Sequence, residues 1–201
     1  AQPYLDGFKT LQSHPQSSSD YLVRGGFDET GRKPRKHSSE HESDANAAYQ
    51  NAMMWAITGR QAHADKAIEI LNAWSYDLKI ISGRDRILAA GISGVKFAAA
   101  AEILRHTQAG WAERDIAQME SMLTKVYDPV LKDMAPFANG NWSLAALQTV
   151  IAIAVFTDDR AMFDRAVDWF YNGRDNARLT HYVINAAGQC QESGRDQQHT
   201  M

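Results

Sequence analysis

Cysteine is almost absent from this chain: Cys190 is the only one among 201 residues. A single thiol closes no intrachain disulfide, so a disulfide-stapled scaffold is excluded, while a cytosolic protein or a bacterial secreted one both fit. Long apolar runs are missing too. The longest candidate, VIAIAVF over 150–156, falls far short of the roughly 18–20 residues a membrane span needs, so no membrane span is expected. There is no excess of basic charge. The formal net charge is -3, which sets up no global field for nucleic acid, and no nucleic-acid partner is expected. A local basic groove for an acidic ligand stays open. An initiator methionine is also lacking. The opening AQPYLDGF is what a cleaved signal peptide or a trimmed chain would leave, and a secreted or periplasmic location is the expectation.

What is present is mostly helical texture. Residues 1–43 are rich in Ser, Gly, Pro and charge and read as an irregular N-terminal segment, packed on or near a cleft through Tyr21, Leu22, Val23 and Phe27. From 44 onward the pattern changes. Residues 44–58 predict a helix capped by Ser43 or Asp44 and stopped near Gly59. In 62–80, Ala64, Ala67, Ile68, Leu71, Trp74 and Leu78 fall at spacings of three and four, one apolar stripe. Helices are also predicted over 85–107, 111–127 (ending before DPV), 142–156 and 159–171. Gly91 and Gly94 either permit close packing in the first of these or mark a bend. Strand signals are poor, though HYVINA (181–186) suits a short one.

One internal comparison sets the architecture. TGRQAHADKAIEIL (58–71) aligns without gaps on TDDRAMFDRAVDWF (157–170). Thr58, Ala62, Asp65 and Ala67 pair with Thr157, Ala161, Asp164 and Ala166, and Leu71 pairs with Phe170. Each copy follows an apolar helix that ends at the Thr. The unit is a helical hairpin, and hairpins stack because one alone cannot bury its apolar face. The fold class expected is all-α, an incomplete (α/α) toroid built from helical hairpins over 44–201.

Four constellations carry chemistry. In GQCQESGRDQQHTM (188–201), a helix from Gln191 would put Glu192, Arg195, Asp196 and His199 on one face. The plain alternative is a solvated face with a weak Glu–Arg pair. The accompanying amides, Gln197 among them, suit a hydroxyl-rich ligand, and Arg195 offers a planar fork for a carboxylate. That same positive charge disfavours a metal site at Glu192, Asp196 and His199, and no metal is expected. In FANGNWSLAAL (137–147), a turn leads into a helix whose free N–H groups favour an anion. Asn141 would donate to a carboxylate and Trp142 would stack on a sugar ring. The alternative is a capping Asn141 and a core Trp142. HSSEHESDA (37–45), preceded by LVRGGF, reads first as a solvated loop, with Arg24 and His41 as cleft-rim contacts. In LTHYVINAAG (179–188), Tyr182 either enters the cleft or packs with its hydroxyl on a neighbour.

Three blocks, AAYQNAMMWAITGRQAHADKAIEILNAWS, NGNWSLAALQTVIAIAVFTDDRAMFDRAV and CQESGRDQQHT, resemble the alginate lyase-like domain of the polysaccharide lyases. Together they cover most of 45–200. The resemblance implies a long cleft for an acidic polysaccharide and β-elimination at a uronic acid, with no metal or organic cofactor. Related domains carry Asn followed by His, then Glu-x-x-Arg, then a Tyr seven residues after the Arg. Here Asn141 matches the Asn, Trp142 stands in the place of the His, and Glu192 and Arg195 match the second motif. The Tyr position would be 202, past the last residue given. To the matched Asn141 and Arg195 the catalytic set adds His199 as base, one turn from Arg195, and Tyr182 as acid or in both roles. Trp142, Glu192, Gln197, Arg24 and His41 are left to bind substrate. Two readings compete: glycoside hydrolysis by a carboxylate pair such as Asp44 and Glu192, and a non-catalytic carbohydrate-binding helical repeat.

Overall fold

The computed structural model describes residues 2–191. Glu192, Arg195, Gln197 and His199 lie outside the described residues. Among the described residues the fold is all-α apart from one small sheet. The first hairpin is α2 (Ser38–Thr58) and α3 (Gln61–Asp77), preceded by α1 (Gln2–Ser13) and a 3-10 turn, Pro15–Ser17. It is followed by α4 (Arg86–Arg105) and α5 (Glu113–Met122), the latter running on through a π turn (Leu123–Tyr127) into α6 (Asp128–Leu131). The last hairpin is α7 (Gly140–Phe156) and α8 (Arg160–Asn172), with a single turn, α9 (Leu179–Tyr182), beyond it. A two-stranded parallel sheet pairs β1 (Glu29–Gly31) with β2 (Ile80–Ser82), Thr30 opposite Ile81.

The apolar helices α2, α4 and α7 form the inner layer, with α4 packed between the other two. They run parallel. Gly91 meets Ala145 and Gly94 meets Thr149; His41 sits by Phe97, and the Trp55 indole donates to Thr107 Oγ1 at 2.8 Å. Partner numbers therefore rise together along each pair. The return helices are antiparallel to them: Asn51 meets His63 and Asp44 meets Trp74. Helix α3 packs on α5, and Arg165 of α8 pairs with Asp128 of α6 at 3.0 Å. Two helical layers result, and the N-termini of α2, α4 and α7 share one end.

The repeated segments are the two turns and return helices that the alignment pairs. Gly59 closes α2 at φ 66, its N–H on Trp55 O at 2.8 Å. The α3 stripe is buried at Ala64, Ala67, Leu71, Trp74 and Leu78. Helix α4 is unbroken through both glycines. A β-carbon on Gly91 would lie 2.7 Å from the Ala145 carbonyl, so the glycines there serve close approach, not a bend. By length and composition α4 would pass as a membrane helix, with an 18-residue window of mean hydropathy 1.7, but 61% of that window is buried inside the fold, as a core helix requires.

Four expectations are corrected. The segment 1–43 is not irregular throughout: α1 occupies Gln2–Ser13, though it buries no side chain. Helix α2 starts at Ser38, so the stretch 37–45 is not a solvated loop; His41 and Asp44 point into the core and extend the helix backwards. The helix over 111–127 does not stop before Pro129. The Asp128 N–H reaches back five residues to Leu123 O, and this widened turn lets the chain pass a residue with no N–H of its own. Finally, HYVINA forms one turn of helix and a single bridge, Val183 to Cys190, not a strand.

Candidate active site

Asn139, Gly140, Asn141 and Trp142 open α7. Asn139 stands in the capping position without a side-chain cap bond, so Asn141 is not the cap but part of the first turn. The Asn141 Oδ1 is buried, and among the described residues the carboxamide makes no hydrogen bond. Leaving a buried polar atom without a partner costs about 1–3 kcal/mol, which a bound ligand would recover. Gly140 donates to Gln191 Oε1 at 3.0 Å. A β-carbon at Gly140 would fall 2.5 Å from the Tyr182 ring and 2.3 Å from Asn176 O, so only glycine lets α9 approach this closely. Asn141, Tyr182 and Gln191 are thereby gathered at the mouth of α7, with the 192–199 block next in the chain. Trp142 is half-buried against the core. Its ring meets Phe137 edge-on at 6.2 Å, and Phe137 is 72% exposed. Sequence reasoning passed over Phe137 because an isolated aromatic before a turn carries no pattern.

The platform below this mouth is held by Asp175. Its carboxylate accepts from Trp169 Nε1 and Ala177 N, both at 3.0 Å, and from Ser143 Oγ. Its own carbonyl meets His181 Nδ1 at 2.9 Å.

At the α2 end, His41 is 1% exposed and its Nε2 lies 2.6 Å from Tyr127 Oη. Burial first, then the charge of Lys96, pushes the imidazole down to about 3. Burial likewise raises the Tyr127 phenol well above its usual range, so at neutral pH both partners are uncharged. His41 is therefore not a rim contact; it forms part of a cavity floor. Arg24 is exposed, with its guanidinium 3.3 Å from Ser43 Oγ and 5.9 Å from the Tyr21 ring centroid. Asp44 is fully buried. It accepts from Tyr21 Oη (2.8 Å), Trp74 Nε1 (2.8 Å), Gly25 N (2.9 Å) and Arg24 N (3.2 Å). A carboxylate saturated in this way is closed to a sugar, which removes Asp44 from any hydrolytic pair.

The alginate lyase family model matches residues 8–196. The chain belongs to the alginate lyase family. No curated protein and no solved structure matches it. Family membership supports a polysaccharide lyase. The match takes in Asn141, Tyr182, Glu192 and Arg195, and it stops short of Gln197 and His199.

Proposed function

We propose that this protein cleaves a uronic-acid-containing polysaccharide, of alginate or glucuronan type, by β-elimination. Family membership supports the reaction class. The observation that carries the site is the unpartnered Asn141 carboxamide on the first turn of α7, beside Tyr182 and leading to Glu192 and Arg195. In the reaction a base removes the C5 proton. The electron pair forms the C4–C5 double bond, the bond from C4 to the glycosidic oxygen breaks, and that oxygen takes up a proton. The C5 proton is only weakly acidic beside an ionised carboxylate. Asn141 and Arg195 lower the barrier by stabilising the charge that builds on the carboxylate as the proton leaves. His199 serves as base and Tyr182 as acid. Trp142, with the exposed Phe137 beside it, faces a sugar ring; Glu192 and Gln197 bind hydroxyls; Arg24 lies at the margin. No step calls for a metal or an organic cofactor. The stacked hairpins are read as part of an incomplete toroid, and a substrate too large to enter a cell goes with a secreted or periplasmic enzyme.

The test is to mix the protein with alginate, glucuronan, pectate and glycosaminoglycans and to follow ultraviolet absorbance from the unsaturated uronate. A rise with at least one polyuronate is expected. Arg195→Ala should lower turnover by about 100-fold or more with unchanged circular dichroism. New reducing ends without absorbance would replace elimination by hydrolysis, and no product from any polymer would sink the enzymatic reading.

A further inference from the structure

The chain from Tyr182 to Gln191 folds back on itself. Asn185 starts the turn. Its Oδ1 accepts from Ala187 N at 3.0 Å and from Gln189 N at 3.2 Å, the short-range bonding that suits Asn to turns. Its Nδ2 donates to Gln189 Oε1 at 2.9 Å. Gly188, at φ 81, supplies the left-handed residue that the return needs. Ile184 N then donates to Gln189 O at 2.7 Å, and Gln191 N donates to Tyr182 O at 3.1 Å. Gln191 thus stands across the hairpin from Tyr182.

From there the Gln191 side chain reaches two elements at once. Oε1 accepts from Gly140 N at 3.0 Å, and Nε2 donates to His181 O at 3.1 Å. These partners fix the orientation of the amide, since the opposite one would set donor against donor and acceptor against acceptor. One carboxamide therefore joins α9 to the first turn of α7. The joint matters because α9 buries no side chain, so polar ties rather than packing hold it. Asp175 supplies one tie further along α7, through Ser143 Oγ, and its carbonyl meets the His181 ring. Asn176 Nδ2 supplies another, to Ala138 O at 3.2 Å. Gln191 acts at the very residue that the Tyr182 ring rests on, where a β-carbon would lie 2.5 Å from that ring. It is also next in sequence to Glu192. Removing its side chain would leave the hairpin in place, held by Asn185 and the backbone, and would free the ring to shift against Asn141.

We propose that Gln191 is a positioning residue. It holds the Tyr182 ring in register with Asn141, so that the phenol meets the leaving oxygen while Asn141 meets the carboxylate of the same sugar. This role rests on the elimination reading above, in which Tyr182 is the acid. The test is kinetic, on the full chain with a polyuronate that it cleaves. Gln191→Ala should lower kcat by about 10- to 100-fold and hold KM within about threefold, with unchanged circular dichroism. Gln191→Glu keeps an acceptor for the Gly140 N–H and loses the donor to His181 O, so it should recover part of kcat. Added to Tyr182→Phe, Gln191→Ala should lower kcat by less than about threefold more, because the group it positions no longer acts. A merely structural residue would cost the same in both backgrounds. An equal fall in both, or a native kcat in Gln191→Ala, would overturn the positioning role in an active lyase. Where Gln191→Ala does not fold, Gln191→Met, of similar length but without either hydrogen bond, carries the same comparison. A Tyr182→Phe chain as active as the native one would remove Tyr182 as acid and Gln191 with it, and the lyase reading would stand. If the native chain releases no unsaturated uronate from any polymer, the elimination reading and the positioning role fall together.

Discussion

Asp44 and Asp175 solve the same problem beside the first and the last hairpin. Each is a buried carboxylate that accepts from the indole of a return helix, Trp74 or Trp169, and from backbone N–H groups of a loop. Each thereby fastens an irregular segment to the helical layers. The sequence offers Asp44 as a helix cap or a hydrolytic acid, because an Asp between polar residues gives no sign of burial; its donors come from positions 19 to 30 residues away. Asp175 drew no notice for the same reason. Truncation measures the difference. Asp44→Ala leaves four donor groups without their acceptor, and hydrogen bonds to a charged group are worth about 1.5–3 kcal/mol each, so a loss of about 3 kcal/mol or more is expected in denaturant unfolding. Proteolytic nicking near 21–25 should accompany it. A loss under about 0.5 kcal/mol, typical of an unremarkable surface site, would show that this loop is held by something else.

At the scale of elements, the α4–α7 contact organises the molecule. Gly91 and Gly94 let two apolar helices touch along their backbones, and Thr149 Oγ1 donates to Gly91 O at 2.7 Å. Elsewhere in a helix, replacing Gly with Ala gains about 0.5–1 kcal/mol. At Gly91 the added methyl meets backbone atoms that cannot rotate away. Gly91→Ala should therefore destabilise, by about 1–3 kcal/mol, as read from the denaturant midpoint. A stabilised variant would contradict the packing described. The same two glycines illustrate a limit of periodicity: spacing shows that small residues recur, and only the facing helix shows whether they serve contact or curvature. Hairpin turns are more legible. Gly59 and the paired Thr58 and Thr157 are local signals, and the structure places turns at both.

For the whole molecule, the buried imidazoles decide how stability depends on pH. Burial lowers His41 to about 3 and also lowers His63 from the ordinary 6.5. The unfolded chain binds protons at both as pH falls below about 6.5, while the folded chain resists until lower pH. Stability is therefore full above that value and declines as pH drops. Glu29 and Asp85, held below 4.5 and 3.8 by Lys36 and Lys33, contribute stability present above those values, and it is lost only below them. Between about pH 6.5 and 4.5 the histidines set the slope. Urea midpoints should fall across that window and fall less steeply in His41→Gln; a flat profile would mean that His41 is not held neutral by the fold. The all-helical class, the stripe of α3 and the two paired hairpins were determined by the sequence alone, because helix periodicity and turn residues act within a few positions of the chain. So was the family likeness, which resides in contiguous blocks. The burial of His41 and Asp44, the gathering of Tyr182 onto Gly140, and the tie from Gln191 to Gly140 were decided only by tertiary structure. Each depends on groups brought together from distant parts of the chain, where desolvation and close packing, not local pattern, set what a side chain does.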